Sequence, residues 1–187
     1  MIRKTAAAAA AALVGLVSTA GLVSSAHALD GVSFEVGEGE EDTDLWRLGL
    51  QWKWQKRWFA ERAWTLGAYW DLQAGRWSGP LKPGEPHQEI WDLGITPVFR
   101  LERAARTALV PYFEAAIGFH LLSNLRINTD TQFSTHFQYG DHLAAGVLFG
   151  AQQRYDLSLR AQHLSNGGIA HPNPGINFIE LRAAYRF

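Results

Sequence analysis

The chain of 187 residues has no cysteine and a single methionine. Without cysteine there is no disulfide, no thiol chemistry, no thiolate metal centre and no lipoprotein anchor. Neither sign of charge dominates; the formal net charge is −1. That balance argues against a general nucleic-acid binder. Beyond residue 28 no run of about 18 apolar residues occurs, so no transmembrane helix is expected. Such a chain can cross a bilayer only as a closed barrel, which satisfies every backbone group internally.

Tryptophan, by contrast, is abundant, with eight residues. Trp and Tyr gather at membrane interfaces, where a ring meets an apolar and a wet side. At the N-terminus, Arg3 and Lys4 precede an apolar stretch over 6–23 and the small-x-small site Ala26-His27-Ala28. This pattern predicts a signal peptide, residues 1–28, cut after Ala28. Residues 29–187 then form the mature protein, one domain of ordinary size.

Nearly every later segment alternates with period 2. In Asp44–Trp54, Trp46, Leu48, Leu50, Trp52 and Trp54 share one face, and Arg47, Gly49, Gln51 and Lys53 the other. That suits a strand with lipid on one side and a polar lumen on the other. Eight such segments are expected: Gly31–Glu38, Asp44–Trp54, Trp64–Trp77, Glu89–Leu101, Val110–Leu122, Phe133–Ala151, Tyr155–Ser165 and Ile176–Phe187. Several reach roughly 10 residues, enough for a tilted strand to span. Longer loops are expected at Ser78–Gln88 and Ser123–Gln132. The predicted fold is all-β, an eight-stranded antiparallel transmembrane β-barrel of the bacterial outer membrane.

Chemistry is concentrated near the C-terminus. His163 and Ser165 are two apart on the seventh segment and share a face with Leu157, Leu159 and Ala161. Alone, a His-x-Ser on a strand carries little information. Polar groups on a lipid-facing side, however, are costly without a role. Ester hydrolysis needs a serine oxygen, a base, and a group that fixes the base's tautomer. On the eighth segment Asn177 is the one polar member of the outward set, and a turn at Pro172–Gly175 brings it toward His163. Glu180 is the stronger candidate by chemistry, but parity turns it inward. Asn166 can offer its amide or its backbone N–H to an oxyanion, and Gly167 and Gly168 permit close backbone approach.

The stretch His163-Leu-Ser-Asn-Gly-Gly-Ile-Ala-His-Pro-Asn-Pro-Gly-Ile-Asn177 closely resembles the C-terminal motif of the lipid A 3-O-deacylases, the PagL family. Weaker likeness extends over Leu45–Trp54 and Pro111–Gly118, and the terminal Phe187 resembles the usual ending of outer-membrane barrels. The resemblance implies His163 as base, Ser165 as nucleophile and Asn166 as oxyanion support. It also implies lipid A within lipopolysaccharide as substrate, outer-membrane lipids as surroundings, and no metal or cofactor. The best-known members carry Glu where Asn177 stands, so either Asn177 completes the triad or Glu180 does through a local distortion. Other readings are an outer-membrane phospholipase-like esterase and a non-catalytic structural barrel. Whether a homodimer forms is left open. The acidic run Glu38-Gly39-Glu40-Glu41-Asp42 reads as a solvated turn.

Overall fold

The computed structural model describes residues 29–82, 86–104 and 107–187. The expected signal peptide lies outside the described residues. Among these residues the chain forms eight strands: β1 (Gly31–Gly39), β2 (Asp44–Lys53), β3 (Trp64–Pro80), β4 (His87–Arg103), β5 (Leu109–Leu122), β6 (Phe137–Phe149), β7 (Tyr155–Ser165) and β8 (Ile176–Arg186). Each pairs antiparallel with its neighbour in sequence, and β1 pairs with β8 to close the barrel. Closure removes both sheet edges, as a membrane-spanning sheet requires.

The period-2 pattern sorts side chains as the sequence predicts. Ile117, Leu143, Leu159 and Trp91 stand on the outside, with exposures of 64%, 68%, 58% and 54%. A continuous band of such residues is far larger than the apolar patches of soluble monomers, and lipid is its natural cover. Aromatic rings mark both margins of the band. Phe119, Phe137 and Tyr139 cluster near one end, and Trp54, Trp70, Trp58 and Phe99 near the other.

The interior carries charge rather than only small residues. Arg47 pairs with Glu35 at 3.2 Å, Asp92 at 3.2 Å and Glu180 at 3.4 Å. Arg160 and Arg182 both reach Glu35, at 3.0 and 3.2 Å. A charge removed from water is tolerable only with such partners. Small residues admit the large ones: a Cβ on Gly94 or Gly140 would come within 2.6 Å or 2.5 Å of the His120 ring.

The boundaries of β3, β4 and β6 differ most from expectation. β3 and β4 run further, to Pro80 and from His87, because cross-strand contacts continue past Trp77. Arg76 pairs with Glu89 there, and Ser78 Oγ meets His87 Nδ1 at 3.1 Å. β6 begins at Phe137 rather than Phe133. The preceding residues fold back instead, with Phe133 N donating to Leu125 O at 2.7 Å and Arg126 bridging Gln132. This loop carries Ile127 and Phe133 into an apolar plug with Trp77, Leu164, Ile176 and Phe178 at the barrel mouth. Alternation alone does not distinguish an outward ring from one that turns to cap the lumen.

Candidate active site

β7 and β8 are joined by residues 166–175 at the end of the barrel opposite the chain termini. The longest loop, 123–136, lies at this same end, which is the external side in outer-membrane barrels. Register sets His163 opposite Asn177 on β8 and opposite Asp141 on β6; Ser165 faces Tyr139. The inward neighbours Leu164, Ile176 and Phe178 are fully buried in the apolar plug. The outward polar residues therefore stand on rigid support, which keeps their geometry narrow.

His163 Nδ1 meets Asn177 Oδ1 at 2.8 Å. Because an amide oxygen accepts only, Nδ1 carries the imidazole proton and Nε2 is left with its lone pair. The other end of the Asn177 amide, Nδ2, donates to Glu40 Oε1 at 2.7 Å. Ser165 is on the same face as His163, two residues further along β7, and among the described residues no hydrogen bond joins its hydroxyl to the imidazole. Gly175, at φ 71°, lies against the ring: a Cβ there would be 2.6 Å from His163 Cε1 and 3.2 Å from Nε2.

Glu180 is on the other side of the wall. It is fully buried in the lumen, 3.4 Å from Arg47 and 3.8 Å from Arg160. β8 pairs without interruption from Ile176 to Arg186, so there is no distortion to bring Glu180 to His163. Asn166 is also fully buried. Its Nδ2 donates to Ser134 Oγ at 2.9 Å and Ala170 O at 2.8 Å; its Oδ1 accepts from Gly168 N at 2.9 Å. Its backbone N donates to Asn173 Oδ1 at 2.9 Å. Both N–H groups expected for an oxyanion are thus committed to the loop, whose path Asn166 fixes. The neighbouring Gly167 N–H, at φ 64°, has no acceptor among the described residues.

A depression of about 460 Å³ opens beside His163 and Asn177, bordered by Glu38, Glu40 and Asp141. Its lower wall, made by Leu143, Ala161 and Ile179, is shared with a second hollow of about 280 Å³ that includes Phe113 and Leu159. Together they run from the polar line down the apolar band. A larger hollow, about 810 Å³, lies at the opposite mouth among Arg57, Glu102 and Arg186. It opens away from the lipid-facing wall. Neither Asp141 nor Glu40 stands out in the sequence as a site residue: outward parity marks Asp141, whereas Glu40 reads there only as part of a solvated acidic turn.

The family model of the lipid A 3-O-deacylases (PagL) matches residues 45–186. The chain belongs to the PagL family. It is 34% identical over 159 residues to lipid A deacylase PagL of Pseudomonas aeruginosa, covering 85% of this chain and 87% of that one. It is also 34% identical over 119 residues to lipid A deacylase PagL of Bordetella bronchiseptica, covering 63% and 61%. The crystal structure of the outer membrane enzyme PagL matches with a TM-score of 0.74 at 29% identity, over 84% of this chain and 99% of that one. Neisserial surface protein A, 10% identical with a TM-score of 0.50 over 84% and 95% of the two chains, is alike in fold alone. As a PagL-family barrel, the chain is an ester hydrolase of the outer membrane.

Proposed function

We propose that this lipid A 3-O-deacylase cleaves its ester with Ser165 as nucleophile, His163 as base and Asn177 as the group that holds the base. The observation that carries the reading is the 2.8 Å contact between His163 Nδ1 and Asn177 Oδ1. It orients the ring and reserves Nε2 for the serine proton. His163 Nε2 removes that proton as Ser165 Oγ bonds to the acyl carbonyl carbon. The tetrahedral intermediate collapses, and the sugar 3-oxygen leaves with the proton from Nε2. Water, deprotonated by His163, then attacks the acyl-serine; the fatty acid departs and Ser165 regains its hydrogen.

Asn166 stays in this scheme as the residue that shapes the loop, and the Gly167 N–H is the donor we assign to the oxyanion. The acyl chain follows the hollow bounded by Leu143, Ala161 and Ile179. An outward site suits this substrate, since lipid A reaches it without leaving the leaflet. All the groups come from one chain, so the reaction needs no homodimer.

Mass spectrometry of lipid A from cells expressing the chain and its Ser165→Ala variant tests the scheme. We expect loss of one 3-hydroxyacyl group only with the unaltered chain, and a rate drop of at least about 10³-fold in the variant. Equal deacylation by a folded Ser165→Ala barrel would remove Ser165 from the mechanism.

A further inference from the structure

We propose that Glu40 is a positioning residue for the reaction: it fixes which end of the Asn177 amide faces His163. This rests on the reading of Ser165, His163 and Asn177 given above.

An asparagine in the third position carries an ambiguity that a carboxylate does not. Both oxygens of a carboxylate accept, so either one orients the imidazole correctly. An amide has one accepting and one donating end of nearly equal size, interchanged by a half-turn about its last torsion. If the NH₂ end faced His163, Nδ1 would have to accept. The imidazole proton would then sit on Nε2, the atom that must take the proton from Ser165. One amide orientation gives a base, and the other gives none.

Glu40 removes the ambiguity. Its Oε1 accepts from Asn177 Nδ2 at 2.7 Å, and its Oε2 lies 3.4 Å from the Asn177 backbone N. An ionised carboxylate only accepts, so the NH₂ end must face Glu40 and Oδ1 must face His163. The carboxylate also polarises the amide, giving Oδ1 part of the negative character that an acid would supply directly.

The fold holds Glu40 in place by independent means. Register across the closing seam pairs Gly39 with Phe178, so the next residue on β1's side comes alongside Asn177. The turn is tied by Gly39 N to Thr43 O at 2.7 Å. Positive φ at Glu41 and Asp42 bends it sharply. From the long loop, the buried Asn128 donates to Glu40 O at 3.3 Å and to Thr43 Oγ1 at 3.0 Å. The acidic run is therefore more than the solvated turn its composition suggests. Glu40 also precedes the segment matched by the family model, which begins at residue 45.

The test is a double-mutant cycle on the purified full-length protein in detergent micelles with lipid A as substrate. Folding is checked by heat-modifiable mobility, and kcat and KM are measured separately. Glu40→Gln keeps the shape but can present either end of its own amide. It should lower kcat about tenfold and leave KM within about twofold, as expected for an interaction that serves the chemical step. Asn177→Asp gives the imidazole a direct carboxylate but sets a like charge against Glu40. In that background Glu40→Gln should raise kcat, by about threefold or more, reversing the sign of its effect.

A structural role for Glu40 would instead lower activity in both backgrounds. Loss of equal size and sign in both, or a Glu40→Gln enzyme within about twofold of the unaltered kcat, overturns the proposal. Ser165→Ala and His163→Ala run alongside. If these stay active the underlying site reading falls; if they are dead while Glu40→Gln is unaffected, only the role of Glu40 falls.

Discussion

The two sides of β8 use polar residues in opposite ways. Inward, Glu180 lies among arginines that each reach more than one acid: Arg47 touches Glu35, Asp92 and Glu180, and Arg160 touches Glu35 and Glu180. Outward, three residues earlier, Asn177 belongs to a single file in which His163 has one partner and Asn177 passes to Glu40. The lumen is a mesh in which a proton or charge has nowhere better to go. The rim is a line with one open end, at Nε2. Similar residue types fill space in one place and, on the proposed scheme, are poised to react in the other, and the number of partners per group separates them.

The largest expected break in this contrast is on the lumen side. Arg47→Ala removes the cation shared by Glu35, Asp92 and Glu180 in the buried lumen, a loss of about 3–5 kcal/mol. Urea titration of the folded barrel should show it, whereas kcat of the fraction that folds should hold. Next is Gly175→Ala. Its Cβ would collide with His163 Cε1, and positive φ disfavours any side chain there. We expect roughly a 10- to 100-fold fall in kcat, as for a base displaced by a fraction of an ångström. A variant with unaltered kcat would show that the ring has room to spare. The smallest effect is expected for Glu180→Gln. Across the wall from the imidazole, it should change kcat by less than about twofold. A large fall would restore Glu180 as a catalytic candidate.

What could be read in advance follows the same division. Strict alternation sets the outward faces of β7 and β8, so His163, Ser165 and Asn177 could be placed on one face, and His163 beside Asn177, from the chain alone. Inward parity likewise placed Glu180. Contacts that depend on closure or on loop folding left no periodic trace. Glu40 and Asn177 are 137 positions apart and meet only because β1 returns to β8. Asn166 has the composition of an oxyanion donor, yet its bonds to Ser134 and Ala170 are decided by the path of two loops. Phe133 continues an apolar pattern and then turns inward to the plug, where it packs 6.3 Å from Trp77.

The closing seam has a consequence for how such an enzyme is made. Ser165, His163 and Asn177 share one hairpin and can come together as soon as it forms, whereas Glu40 arrives only with β1. On the proposed scheme, sealing the cylinder and arming the hydrolase then become one event. A chain still in transit, open along that edge, would on the proposed scheme carry the nucleophile without the contact that commits its base, and so would act more slowly on the lipids it meets before reaching its destination.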